Sequence, residues 1–379
     1  MKFVVLGGYG IIGKAVVADL YKYSKNSEII VAGRDLKKAN EYAHSFKSSR
    51  VKAKEIDINN ENQLVDLLKG SDVCINCVQY YFNVQIMGAC LKAKINYVDL
   101  GGLFHETKKQ IKLDRDFKKI GKLAILGIGG TPGITNIMAT YGSRLLKNFK
   151  SIEITFADLD YENKGFVLPY SFKTIVDEFT MKATVLENGK LIFAGPGSGR
   201  KEYDFGKEFG KQSGFYTLHS ELATFPYSFA KNGLKNCEFR VTFSEDFSKK
   251  IKKLIELGFT SPNSISISGK ELKIIDITDK IMERFAPKPG AKVNDKELLR
   301  VNFDNDKFII DAVAKSNNDV SSWILDTGIP CSIAAQMIAE KRIVGSGVLA
   351  PEKAINPMSF FLELKQRGID ILKNGKRLK

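Results

Sequence analysis

Along the first third of the chain, short apolar runs alternate with stretches in which apolar residues recur every three or four positions. The runs fall at residues 2–6, 28–32, 51–56, 73–78, 97–100 and 123–126. Except for 51–56, which alternates with lysines, they are short and apolar on both faces and read as buried strands. The stretches between them have helical spacing. Ile12, Val16, Val17 and Leu20 open the series, and segments 36–46, 61–68, 84–93 and 106–120 continue it. Strand and helix in strict alternation, with short connections, predict a parallel, doubly wound sheet.

From Ser151 the pattern changes. Ser151-Ile152-Glu153-Ile154-Thr155-Phe156 alternates as a half-exposed strand does. Short strands are expected at 190–194, 201–205, 214–218 and 236–243, with helices at 171–179 and 247–257. Asp304-Asn305-Asp306 sits between two apolar runs and predicts a hairpin. Gly195-Pro196-Gly197-Ser198-Gly199 lies between strands and reads as a hairpin loop. The tail returns to helix at 333–341 and 359–366. The expected fold class is therefore α/β: a doubly wound parallel sheet in residues 1–130, an α+β domain in 131–325, and C-terminal helices in 326–379.

The first strand runs into Gly8-Tyr9-Gly10-Ile11-Ile12-Gly13, and the first helix follows at once. Strand, glycine turn and helix in that order form the dinucleotide-binding fingerprint of a Rossmann domain. Gly8 is assigned the tight turn, Gly10 the close approach of a pyrophosphate, and Gly13 the packing of helix on strand. Free N–H groups at the helix start favour the phosphates. The second strand ends in Gly33-Arg34-Asp35. An arginine there suits the 2′-phosphate of NADP, and a carboxylate suits the ribose of NAD. Arg34 comes first, with Lys37 and Lys38 behind it, so NADP is expected and NAD stays possible. Asp35 reads better as a helix N-cap.

Ligands bind beyond the carboxyl ends of such strands. That rule selects Asp57, which could meet the adenine, then Asn76, Val78 and Tyr80, then Asp99 to Gly102, and Gly127 to Gly133.

Composition narrows the partners. The balance of 58 basic and 43 acidic residues gives +15. The lysines are spread along the chain and often share a segment with glutamate or aspartate, so a solvated surface is expected and nucleic acid is not. No apolar run approaches the ~20 residues that span a bilayer. The chain opens directly on a strand, without a signal-peptide pattern, and a cytoplasmic protein is expected. Five loosely spaced cysteines read as buried thiols, and no metal site is expected.

Several segments together resemble the saccharopine dehydrogenase family. They are Asn76-Cys77-Val78-Gln79-Tyr80-Tyr81-Phe82-Asn83, Tyr97-Val98-Asp99-Leu100-Gly101-Gly102-Leu103-Phe104-His105, Pro132-Gly133-Ile134-Thr135-Asn136, His219-Ser220-Glu221-Leu222-Ala223-Thr224-Phe225-Pro226 and Gly347-Val348-Leu349-Ala350-Pro351-Glu352. The likeness covers nearly the whole chain, in order, and is greatest to the saccharopine reductase and lysine 6-dehydrogenase branch. Gln79 departs from it, standing where the motif has proline. The resemblance implies a Rossmann domain, an α/β substrate domain, C-terminal helices packed back on the first domain, and often a homodimer. It also implies hydride transfer between a nicotinamide and a carbon bearing nitrogen, with an amino-acid substrate.

An ammonium has no lone pair to drive hydride departure, so a proton acceptor is needed. Candidates are His105, His219 and Glu221 beside it, and Asp99, which could instead cap a glycine turn. Arg240 and Arg200 are candidates for a substrate carboxylate, because guanidinium pairs with it through two hydrogen bonds. Tyr80 and Asn136 complete the substrate set. Two other readings stay open: a lipid C=C reductase of the same architecture, and an NADP-binding sensor without turnover.

Overall fold

The computed structural model describes residues 1–161, 166–285, 293–317 and 320–378. Six strands open the chain: β1 (Lys2–Leu6), β2 (Glu28–Gly33), β3 (Val51–Glu55), β4 (Val73–Asn76), β5 (Asn96–Asp99) and β6 (Leu123–Ile125). Between them run α1 (Ile11–Tyr23), α2 (Leu36–Ser45), α3 (Glu61–Leu68), α4 (Asn83–Ala93), α5 (Phe104–Ile111) and α6 (Asp114–Lys119); α7 (Ile134–Leu146) follows β6. Asp35 caps α2 by accepting from Lys38 N at 3.0 Å, and Asn60 caps α3 by accepting from Gln63 N at 3.2 Å. Such caps satisfy N–H groups that the helix leaves free.

The second domain contributes β7 (Ser151–Asp160), α8 (Phe172–Thr180), β8 (Ala183–Glu187), β9 (Lys190–Ala194), β10 (Lys201–Asp204), β11 (Lys211–Tyr216), β12 (Asn236–Thr242), the ribbon β13 (Ser264–Ile267) with β14 (Lys270–Lys273), β15 (Asp295–Phe303) and β16 (Phe308–Lys315). The tail adds β17 (Gly347–Leu349), β18 (Asp370–Lys373) and β19 (Lys376–Arg377).

The first sheet has the order β17-β6-β5-β4-β1-β2-β3, all parallel, so its strand order reverses between β1 and β4. The second runs β10-β11-β12-β7-β15-β16-β18-β19, with β8 and β9 attached at β12. The expected α/β class, doubly wound sheet and α+β second domain are all present.

Three details differ from expectation. The tail supplies strands as well as helices, and β17 extends the Rossmann sheet beside β6. The single helix expected over 106–120 breaks between α5 and α6; the break lets Asp114 accept from Val348 N at 3.0 Å and hold β17 in place. The loop 195–199 is not a hairpin, because β9 pairs with β8 and β10 with β11.

The Ser322–Ala339 helix is buried on nearly every side and contacts both sheets. A helix apolar all round belongs in a core. It packs on α1 so tightly that a Cβ on Gly328 would come within 2.9 Å of Ala15 Cβ. Asp19 of α1 accepts from Ser332 Oγ at 2.7 Å and from Arg367 Nε at 2.8 Å, which ties α1, this helix and the tail together. No helix among the described residues is long and apolar enough to cross a membrane.

Candidate active site

The glycine turn is built closely. Gly7, not Gly8, takes the left-handed conformation, with φ +73°, and its carbonyl accepts from Gly10 N at 2.8 Å. The tight turn assigned to Gly8 thus belongs to Gly7. Gly8 instead lies against Val5 and Val31, where a Cβ would meet Val5 O at 3.0 Å. A Cβ on Gly13 would come 2.8 Å from Gly8 Cα and nearer still to the Gly7 carbonyl, so only glycine lets α1 start here. A Cβ on Gly10 would meet only Gly7 O, at 3.1 Å, and otherwise face open space. Gly10 is also the N-cap of α1 and makes no side-chain cap, which leaves the first N–H groups for a ligand. Ile11 is exposed at this end, and Ile12 packs toward the core.

Tyr9 lies over Gly33, where a Cβ would sit 2.5 Å from the ring, and its hydroxyl accepts from Asp35 N at 3.0 Å. Asp35 is engaged as the α2 cap. Arg34 is exposed and has no ion-pair partner among the described residues, so its guanidinium is available to a 2′-phosphate. Asp57 accepts from Asn59 N at 3.0 Å in a local turn. Cys77 and Val78 border Gly7 on the other side. Asn76 is buried; it donates to Asn83 at 2.8 Å and accepts from Val78 N at 3.1 Å, which shapes the β4 end rather than presenting an amide. The open Gly10 face, the uncapped helix start and the free Arg34 fit an NADP molecule.

Beyond the strand ends, the second domain faces the first across a cleft. Tyr80 donates to Asp177 of α8 at 2.8 Å, and burial raises the Asp177 carboxyl. The exposed His105 ring stacks on Phe193 of β9, with centroids 6.2 Å apart. Deeper in, His219 Nδ1 pairs with Glu221, and the imidazole lies flat on Phe239 at 3.8 Å. Glu221 also accepts from Thr131 Oγ at 2.7 Å and Thr135 Oγ at 3.0 Å, both from the segment after β6. Despite burial, His219 and these donors hold Glu221 below its ordinary range. With Glu221 ionised, Nδ1 carries the proton, leaving Nε2 as the ring's acceptor. Next to this pair is Glu178 of α8, which accepts from the Tyr170 hydroxyl at 2.5 Å. Burial pushes Glu178 up to about 7, against the opposing effects of Tyr170 and His219.

Three of the expected site residues are placed elsewhere. Both Asp99 oxygens are taken, by Gly127 N at 2.6 Å, Gly101 N at 2.9 Å and Gln110 Nε2 at 2.6 Å. It fastens two glycine turns and has no oxygen left for substrate. Asn136 caps its own helix through Gly133 N at 2.8 Å and donates to the buried Glu352 at 2.8 Å. Arg240 points to the sheet face opposite Phe239 and His219. There it binds Glu153 at 2.6 Å, Glu238 and the Gly199 carbonyl, under the Tyr216 ring. A guanidinium so engaged is not available to a substrate carboxylate in the cleft. Glu178, Tyr170 and Asp177, by contrast, come to the site without having been singled out in the sequence, whereas Thr131 and Thr135 belong to the segment after β6 that was.

Comparison with known proteins gives the family. Residues 3–125 match the saccharopine dehydrogenase NADP binding domain, and residues 129–369 the saccharopine dehydrogenase C-terminal domain. The chain belongs to the saccharopine dehydrogenase family. Its N-terminal third is an NADP-binding domain, and the protein is an oxidoreductase acting on CH–NH groups. A carboxyaminopropylagmatine dehydrogenase of Synechocystis sp. is 25% identical, with 97% of this chain and 96% of that protein covered. A carboxynorspermidine synthase of Vibrio cholerae is 24% identical, with 65% of each covered. Among solved structures, the apo saccharopine dehydrogenase (L-Glu forming) of Saccharomyces cerevisiae shares the fold, with TM-score 0.73, 16% identity and both chains fully covered.

Proposed function

We propose that the protein transfers a hydride between NADP and the carbon of a secondary amine, in which a carboxyalkyl group is joined to a cationic amine of the polyamine type. The observation that carries this reading is the set of groups gathered beside the segment that follows β6: His219 with Glu221, which accepts from Thr131 and Thr135, and Glu178 with Tyr170. Gly7 to Gly13 and Arg34 hold the cofactor, which when bound accepts or supplies the hydride. In the oxidative direction the substrate ammonium first gives up a proton, and His219 Nε2 or the Glu178 carboxylate receives it. Glu221 keeps the imidazole oriented and stabilises its charged form. The same groups return a proton to nitrogen in reduction.

Relatives that act on carboxylated amines support an amine substrate over a free amino acid. So does the chemistry of the cleft, which offers carboxylates while Arg240 is turned away. The test is NADP⁺ reduction, followed by absorbance, with carboxynorspermidine, carboxyaminopropylagmatine and saccharopine side by side. Turnover of a carboxylated polyamine is expected. Absence of turnover with all three, while NADP⁺ binding is intact, would overturn the reading.

A further inference from the structure

Where the second sheet meets the Ser322–Ala339 helix, carboxylates collect that the proton transfers above do not use. The β7–β15 register sets Asp158 opposite Glu297 and Asp160 opposite Asp295. Both pairs continue the row of Phe156 and Leu299, which faces the core and the first domain. Like charges directly opposite one another destabilise a sheet. From the helix, Asp326 reaches the same place and lies against Gly130, where a Cβ would be 3.3 Å from Asp326 Oδ1.

One of these acids has a structural role. Asp295 accepts from Ser322 N at 2.7 Å and from Ser321 Oγ, and so caps the helix. Glu297 and Asp326 have no such role. They are 7% and 2% exposed; their carboxyls lie within hydrogen-bonding reach of each other, Asp326 also meets the Thr327 hydroxyl, and no cation reaches either among the described residues. Among the described residues no ion pair reaches Asp158, Glu297 or Asp326, although ion pairs are frequent elsewhere. Asp158 is accessible to solvent and gives the cluster its opening. Asp295 and Asp160 bear on the cluster by charge, the Thr327 hydroxyl meets Asp326, and Tyr170 is within reach of Asp158 and Glu297 on one side and Glu178 on the other. Tyr170 thus lies between this cluster and the Glu178–His219 end of the cleft. Burial and mutual repulsion raise the Glu297 and Asp326 carboxyls.

Buried acids paired only with each other, with no cation beside them, favour a counter-charge from outside. We propose that Asp158, Glu297 and Asp326 form the subsite for a second cationic group of the substrate, an ammonium or guanidinium carried away from the reacting nitrogen. The assignment rests on the carbon–nitrogen oxidoreductase reading and adds specificity to it. Without a cation the cluster keeps a proton among its oxygens. A bound cation displaces that proton, so binding releases protons to the buffer.

The test uses the protein saturated with NADP⁺, norspermidine as the polycationic probe and butylamine as the single-cation control, by calorimetry in buffers of different ionisation enthalpy. Wild type is expected to bind norspermidine at least about 30-fold more tightly than butylamine, the low end of what one partner of a buried charge pair is worth. It should also release protons as it does so. Glu297→Gln and Asp158→Asn should lose most of that preference and of the proton release. Glu297→Gln should melt no lower than wild type, since it removes a buried acid with no cationic partner and its amide can still donate to Asp326. Equal binding of the two amines by wild type would overturn the proposal, as would a preference that survives in both variants. Norspermidine binding with no turnover of any carboxylated amine would uphold the subsite and remove the reaction. Turnover with no preference for a second cation would remove the subsite and uphold the reaction.

Discussion

Gly10 and Gly13 are three residues apart in one turn, yet the structure assigns them separable effects. At Gly13 an added methyl would lie 2.8 Å from Gly8 Cα and nearer to the Gly7 carbonyl. Both neighbours are backbone, so the start of α1 must retreat by roughly 1 Å to restore ordinary contact. Overpacking of this kind costs about 1–3 kcal/mol of stability, and misplacement of about 1 Å at a binding turn weakens function by about 100-fold. At Gly10 the nearest atom to an added methyl is Gly7 O at 3.1 Å, so Gly10→Ala should change stability by no more than about 0.5 kcal/mol. The methyl would still project where phosphate must approach. Losing one charge-assisted hydrogen bond of about 1.5–3 kcal/mol should weaken NADP⁺ binding about 10- to 150-fold. Calorimetric titration with NADP⁺ and thermal melting of both variants give the readout. Gly13→Ala should lose both properties and Gly10→Ala only binding. Normal NADP⁺ affinity in Gly10→Ala would refute the phosphate assignment, and a Gly13→Ala variant that melts and binds like wild type would refute the packing argument.

Arg34→Asp should shift preference from NADP⁺ toward NAD⁺ by at least about tenfold, the value of one charge-assisted pair; an unchanged ratio of kcat/KM for the two cofactors would show that Arg34 does not meet the 2′-phosphate. Arg367→Ala leaves Asp19 buried without its cation and should cost about 3–5 kcal/mol in urea unfolding, whereas a loss below about 1 kcal/mol would mean that the pair is not structural. Glu178 supplies a pH test. Its folded value of about 7 lies above the ordinary 4.5, so the folded chain keeps a proton that the unfolded chain releases. Stability from this group is fully present below about 4.5 and is lost as pH rises through about 7. Glu178→Gln should therefore gain stability relative to wild type at pH ~8 compared with pH ~5, by up to about 3 kcal/mol; a difference that does not depend on pH would show that Glu178 is ionised throughout.

What could be read from the sequence was local. A strand running into glycines and a helix specifies its own geometry, and so does Asp304-Asn305-Asp306, whose three positive φ angles close the β15–β16 hairpin. The three-residue β17 was not readable, because it is a strand only through its pairing with β6. The candidate site divides along the same line. His219 and Glu221 are two residues apart, and their partnership was visible. Arg240 and Phe239 are adjacent, so they had to face opposite ways, but nothing local says which face of β12 meets the cleft. Asp158 and Glu297 are far apart in sequence and become neighbours only through the β7–β15 register. Each sits in an alternating stretch where an acid looks like the solvated face of a strand. Glu178 is hidden for the same reason: an acid on an amphipathic helix reads as surface until a second element covers it.

The surplus of +15 does not foretell the character of the cleft. Charges on an exposed surface are screened within about 8 Å at physiological ionic strength. Two charges about 4 Å apart at a partly buried site interact by about 4 kcal/mol, against about 1 kcal/mol in bulk water. A few carboxylates placed in the cleft therefore outweigh many lysines spread over the outside, most of which face water or pair with neighbouring acids, as Lys249 does with Glu245 and Lys250 with Asp246. The basic surface weakens the long-range approach of a polycation, and the acidic interior favours it once inside. Added salt should consequently relieve the repulsion outside more than it weakens the attraction within. The sign of the preferred ligand is thus set by which strand register brings acids together, a property that no count of charged residues contains.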